Sequence, residues 1–386
     1  MSSLPQDKKR TVHIALPSLG DDEWQALKEP IDNGWLTQGA KVAEFEKGFA
    51  ERHGVKHALA VTSCTTALHL ALAALDIGPG DEVIVPAFTW VSTANAVLYC
   101  GAKPVLCDVD TKTFNIDIEK VADCVTDKTK AIIPVHLFGL CIDMDKLRSA
   151  IPEHIAIVED AACGAGAQYK DKCAGNLGDL GCFSFHPRKS ITCGEGGMVT
   201  TNDDALADRI QKMRNHGAGI SEEQRHHGPQ PYILPQFDVL GFNYRMTDLQ
   251  GAVANVQLTK LDQFIEERAK GAQWYRDVLG DLDWLTCPSE PDDGKHAWQS
   301  FVTYIDQDKA PKPRNEIMAD LHQMGVATRP GTHSVHMLDY YKNTFGFNGD
   351  DFPSAKACEL NSMAVPLHNR MTAEDYEYVA NCIKSI

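Results

Sequence analysis

Residues 181–202, GCFSFHPRKSITCGEGGMVTTN, decide how the rest of the chain is read. The stretch opens on an apolar run, Cys182-Phe183-Ser184-Phe185, and turns polar and basic at His186-Pro187-Arg188-Lys189-Ser190. It then passes through Gly194-Glu195-Gly196-Gly197 into a second strand-like run, Met198-Val199-Thr200-Thr201. Strand, loop with one lysine, glycine-rich turn and strand together present a single amine at the edge of a sheet. Ser184, His186, Ser190 and Thr192 supply hydrogen-bonding side chains around it. An amine held between buried strands is expected to be desolvated, which lowers its pKa and makes it nucleophilic towards carbonyl carbon. Most lysines before a turn are solvated surface residues, so the rest of the chain has to carry the assignment.

Working outward, a repeating β-then-α pattern precedes this stretch. Apolar strands are read at 57–61, 82–86, 104–109, 131–135 and 155–159, with helices at 65–75, 91–98, 117–124 and 144–150 between them. Such alternation predicts an α/β fold with a mostly parallel sheet covered on both faces. Ligands in these sheets bind beyond the carboxyl ends of the strands. The unusual residues fall there. Thr62-Ser63-Cys64-Thr65-Thr66 opens a helix and reads as a phosphate cradle or as simple N-capping. Trp90 follows the second strand, as a stacking ring or as core. Asp160 follows the fifth; a carboxylate there needs a cationic or N–H partner, or a salt bridge to a core arginine. Gly164-Ala165-Gly166 is no dinucleotide fingerprint, because Tyr169 stands where the third glycine belongs.

Before the repeat, residues 21–54 read as helix, turn, helix, with helices at 22–31 and 42–50. Beyond the lysine stretch, a helix over 203–214 is followed by a polar loop at 217–237 containing Arg225-His226-His227-Gly228. Then comes Gly241-Phe242-Asn243-Tyr244-Arg245-Met246 and one long amphipathic helix, Asp248 to Leu279. Residues 280–386 mix strand and helix signals. The division expected is a large domain over 1–260 and a smaller C-terminal α+β domain over 261–386. Within the latter, Thr328 to His336 places Arg329, His333 and His336 near a Pro-Gly turn. That segment lines a cleft or is a solvated loop.

Composition narrows the class. The chain has 386 residues and a net charge of −16, which argues against nucleic acid or an anionic membrane surface as partner. The apolar runs are too short for a spanning helix, and the N-terminal stretch lacks the apolar region of a secretory leader. Twelve cysteines without CxxC or zinc-like Cys/His spacing indicate reduced thiols, no metal site and a cytoplasmic protein.

A helix-start cradle, an aromatic face, a buried carboxylate and a sheet-edge lysine are the four contacts pyridoxal 5′-phosphate needs. The chain resembles the DegT/DnrJ/EryC1/StrS family of pyridoxal-phosphate sugar aminotransferases. The resemblance rests on Gly34-Trp35-Leu36-Thr37, Gly80 to Pro86, Glu159-Asp160-Ala161-Ala162, Ser184-Phe185-His186 with Lys189, Gly194 to Gly197, and Gly241 to Met246. It implies an aspartate-aminotransferase-like (fold type I) homodimer with shared active sites. It implies that Lys189 bonds the cofactor and shuttles the proton, and that Asp160 pairs with the ring nitrogen. Trp90 would stack on the ring, Cys64, Thr65 and Ser184 would hold the phosphate, and Asn243 would reach the neighbouring subunit's cofactor. Cys163 stands beside the ring hydroxyl where the family commonly has Gln or His, and Cys64 stands where it commonly has Gly. His186, Glu195, Arg329, His333 and His336 are candidate substrate contacts. The implied reaction takes an amino group from L-glutamate to a nucleotide-linked keto-sugar. The form Asn243-Tyr244-Arg245-Met246 looks like that of members acting at a 4-keto carbon. The alternatives are a pyridoxal-dependent sugar dehydratase, a branch in which histidine replaces the lysine, and a non-catalytic cofactor-binding regulator.

Overall fold

The computed structural model describes residues 10–219, 232, 234–290 and 293–386. The Arg225–Gly228 part of the polar loop and the first nine residues lie outside these. Seven strands form the central sheet: β1 (His57–Val61), β2 (Glu82–Pro86), β3 (Lys103–Cys107), β4 (Thr129–Ile132), β5 (Ala156–Asp160), β6 (Leu180–Ser184) and β7 (Gly197–Thr201). Their order is β1-β7-β6-β5-β4-β2-β3. The strands β6, β5, β4, β2 and β3 run parallel, while β7 is antiparallel to both β6 and β1. The reversal follows from connectivity. The strands β6 and β7 are joined directly by the lysine loop, with no crossover helix, so as neighbours they must run in opposite directions.

Strand alternation sends Cys182 into the core on one face and Phe183 into the core on the other. The first face is covered by α2 (Cys64–Ala74), α3 (Ser92–Tyr99) and α5 (Asp204–Met213), whose apolar residues Leu68, Ala94 and Ile210 are buried there. The second takes α1 (Ala40–His53), with Phe45 and Phe49 packed edge-on against Phe185. The helix α4 (Met144–Ala150) buries Met144 and Leu147 beside β4 and β5.

The long helix expected over 248–279 is two helices, α6 (Asp248–Thr259) and α7 (Leu261–Leu279). They break at Lys260, whose N–H bonds back only three residues to Gln257 O, while its ammonium is held by Glu23 at 2.8 Å and Asp22 at 3.1 Å. The periodicity does not change there, so the sequence carries no break signal. The first residues of α7, including Leu261 and Ile265, pack in the sheet's core, while Tyr275 and Leu279 join a second core. That second core is completed by β8 (Leu285–Thr286), β9 (Phe301–Ile305) and β10 (Ser362–Val365), and by helices α8 (Arg314–Gln323) and α10 (Ala373–Lys384). The helix α9 (Pro353–Asn361) instead packs Ala355 and Cys358 into the core of the first face. No helix among the described residues is long and apolar enough to cross a membrane.

Candidate active site

The site forms where β1, β5 and β6 end and β7 begins. Gly197 opens β7 between Val61, the last residue of β1, and Ser184, the last of β6. A Cβ on Gly197 would lie 2.4 Å from Ser63 C and O and 2.7 Å from Cys64 N. Only glycine lets β7 pass this close to the turn that starts α2. Ser63 caps that helix by accepting from Thr66 N at 3.2 Å. The first two helical amides, of Cys64 and the half-buried Thr65, have no acceptor among the described residues. Such amides at the positive end of a helix suit an anion.

Asp160 ends β5 and is buried. Its Oδ2 accepts from the Thr93 hydroxyl at 2.7 Å and its Oδ1 from Ala162 N at 3.1 Å; Cys64 Sγ lies 3.9 Å from Oδ1. No arginine is among these partners. Thr93 is fully buried on α3 and also touches Thr89 Oγ1 at 3.1 Å. The sequence reading overlooked Thr93, because a threonine four residues after another on an apolar helix has no signature of its own.

Lys189 sits on the β6–β7 loop, and its Nζ is 3.3 Å from Cys163 Sγ, in the turn after Asp160. The loop is fixed along its length. Lys189 N bonds His186 O at 2.8 Å, Thr192 Oγ1 bonds Phe185 O at 2.8 Å, and Gln299 Nε2 bonds Arg188 O at 2.8 Å. Gln257 on α6 accepts from Thr192 N at 3.2 Å. Burial works to lower the amine's pKa, as the sequence reading expected. The sulfurs of Cys163 and Cys64 and the Asp160 carboxylate outweigh it, so the net shift is upward and the expectation of a depressed lysine is corrected. Ser184 is buried, with its Oγ 3.4 Å from His186 N. Ser190, the next residue after the lysine, buries its Oγ with no partner among the described residues.

The remaining candidates separate. Trp90 is 58% exposed, and its ring lies 5.6 Å from that of His333. Pairing of Phe88–Thr89 with His333–Ser334 makes that juxtaposition. Arg329 is exposed, with its backbone paired to Ala364 of β10. His336 is fully buried, 3.3 Å from Gly349 O and against the Phe352 ring, and burial lowers its pKa. It is a core histidine, and the structure does not bring it to the exposed surface shared by Trp90 and His333. His186 is half-buried, with its pKa lowered by burial. Glu195 exposes its side chain, while its backbone oxygen accepts from Gln250 at 2.6 Å. Asn243 is exposed and its backbone pairs with Asn215. No cluster of three or more His, Cys, Asp or Glu suited to a metal occurs among the described residues.

A profile described as the DegT/DnrJ/EryC1/StrS aminotransferase family matches residues 17–384. The chain is 39% identical over 389 residues to the GDP-perosamine synthase of Caulobacter vibrioides, covering 100% of both. It is 37% identical to the spore coat polysaccharide biosynthesis protein SpsC of Bacillus subtilis, over 99% of this chain and 98% of that one. The structure of the putative sugar aminotransferase Spr1654 from Streptococcus pneumoniae in its PLP form superposes with a TM-score of 0.90 at 25% identity, covering 97% and 98% of the two chains.

Proposed function

The chain belongs to the DegT/DnrJ/EryC1/StrS aminotransferase family, and on that premise we propose that it transfers an amino group from L-glutamate to the 4-keto carbon of a nucleotide-linked 4-keto-6-deoxyhexose, with pyridoxal 5′-phosphate as cofactor. The observation that carries this reading is the meeting of Lys189, Cys163, Asp160 and Cys64 at adjoining strand ends.

The residues present fit that cofactor. The amides of Cys64 and Thr65, beside the close pass of Gly197, and the Ser190 hydroxyl are donors without acceptors among the described residues. Pyridoxal phosphate, when bound, supplies the electron sink that makes a Cα–H bond acidic. Asp160 would hold the ring nitrogen protonated, itself oriented by Thr93. Lys189 would bond the cofactor through Nζ and then carry the proton between carbon atoms. Cys64, Thr65 and Ser184 would bind the phosphate, Trp90 would cover the ring, and Cys163 would stand by the ring hydroxyl as a weak donor. His186, Glu195, Arg329 and His333 remain candidates for sugar or nucleotide contact. Residue 189 is lysine, not the histidine of the dehydratase branch in which that residue is replaced.

We propose a homodimer in the cytoplasm, with Asn243 reaching into the partner's site. The exposed Leu234, Phe237 and Leu240 (Leu240 is 86% exposed), in the segment that leads into Asn243, support an apolar surface made to be covered. The large domain is proposed as 1–260 and the small as 261–386.

The test is to load the protein with cofactor, fix it with borohydride and map the modified peptide, then assay 2-oxoglutarate release from glutamate with GDP- and dTDP-linked 4-keto-6-deoxy sugars. Modification of Lys189 and turnover with one of these sugars is expected. A colourless protein with no adduct at Lys189 would refute the reading.

A further inference from the structure

Directly behind Asp160, on the other face of β5, lies a polar cluster that the proposed chemistry does not use. Glu159 and His136 are both fully buried. Glu159 Oε2 accepts from His136 Nε2 at 2.8 Å and from Gly175 N at 2.7 Å. Its Oε1 accepts from Leu177 N at 2.8 Å and Gly178 N at 2.7 Å. Ile142 N–H points at His136 Nδ1, 3.4 Å away, so that nitrogen is the acceptor. The proton is therefore on Nε2, which donates to a carboxylate group that receives four hydrogen bonds.

Two routes lead from this carboxylate to the site. The first runs through residues 175–178 into β6, which ends at Ser184 and continues to Lys189. The second runs through His136. Its backbone N bonds Asp160 O at 3.0 Å, and its loop places Gly139 O 2.9 Å from Ala297 N. Gln299, two residues on, holds Arg188 O. We propose that Glu159, with His136, is a positioning residue that fixes the Asp160 carboxylate and the Lys189 amine relative to one another, and so sets cofactor affinity. The inference rests on the functional reading above.

Glu159→Gln is nearly isosteric, but its NH2 must face backbone N–H donors on one side or the other. His136 cannot relieve this, because its second nitrogen is engaged by Ile142. The experiment titrates pyridoxal phosphate into wild type and E159Q, reading visible absorbance and tryptophan fluorescence. It also records the pH midpoint of the bound cofactor's absorbance and the Tm of each protein. E159Q is expected to raise Kd at least about tenfold, the size of effect that losing a hydrogen-bond partner of a metal ligand has on metal affinity, and to move the midpoint. A Kd within about twofold of wild type and an unmoved midpoint, whatever the Tm, would overturn the proposal. Should E159Q not fold, His136→Gln and His136→Phe decide. The first keeps a donor towards Glu159 and is expected to bind near wild type; the second is expected to bind more weakly. Equal affinity in both would overturn the proposal. Wild type that binds no cofactor sinks the functional reading and this inference together, whereas binding by wild type and equal binding by E159Q sinks this inference alone.

Discussion

Glu159 and Asp160 are consecutive carboxylates at the end of one buried strand, and the two faces of the sheet treat them differently. Glu159 has every lone-pair direction occupied, by one imidazole and three backbone amides. Asp160 has one hydroxyl and one amide, with thiols and an amine close by. Around Glu159 the polar groups satisfy each other. Near Asp160 the amides of Cys64 and Thr65 have no acceptor among the described residues, nor does the hydroxyl of Ser190, next in sequence to Lys189, have a partner among them. A buried polar group without a partner costs about 1–3 kcal/mol. A cluster of them on one face only marks that face as built for a ligand, and the saturated face as its support.

The strongest way to break this contrast is Lys189→Ala. Loss of the amine should cost at least about 10³-fold in turnover, from removing both the bonding group and the proton carrier. Tm should stay near wild type, since the amine's one hydrogen-bond partner among the described residues is Cys163. Residual turnover near wild type would dissolve the assignment of the open face. Next comes Asp160→Asn. It keeps the shape and loses the charge, and about 10²-fold in turnover should follow, comparable to loss of one preorganised electrostatic contact. A fall in Tm larger than that of E159Q would reverse the roles of the two faces.

The pH dependence of cofactor uptake sharpens the same comparison. The Lys189 pKa is held above its ordinary value, burial being outweighed by Cys163, Cys64 and Asp160. Only the neutral amine attacks a carbonyl. Uptake by the protein should therefore accelerate about tenfold per pH unit across the range below that pKa. A rate flat from neutral pH upward would mean a depressed lysine, as the sequence alone suggests. The smallest effect is expected for Thr93→Val. It removes the hydroxyl from Asp160 Oδ2 and keeps the packing. A hydrogen bond to a charged group contributes about 1.5 kcal/mol at the low end, so cofactor affinity should fall about tenfold. An unchanged Kd would show that Asp160 needs no support from α3.

Much of this was legible before any coordinates. The alternation of strands and helices, Asp160 and Trp90 at strand ends and the lysine between two apolar runs are local patterns, and local patterns survive in one dimension. Thr93, Glu159 and Gly197 were not legible as parts of the site. Thr93 matters because α3 crosses the end of β5, and Gly197 because β7 passes Ser63 too closely for a Cβ. His336 looked like a site residue beside His333, yet the two-residue pairing with Phe88–Thr89 leaves His333 exposed and buries His336. The helix break at Lys260 depends on Asp22 and Glu23, more than two hundred residues away in sequence.

By itself the sequence determined the α/β class, the strand ends where polar residues collect, and the resemblance that names a family. The tertiary structure alone decided which of two neighbouring carboxylates is saturated and which is open, and whether the lysine's charge is favoured. The reason is that hydrogen-bond saturation and electrostatic balance are sums over neighbours in space. Most of those neighbours are contributed by other strands and loops.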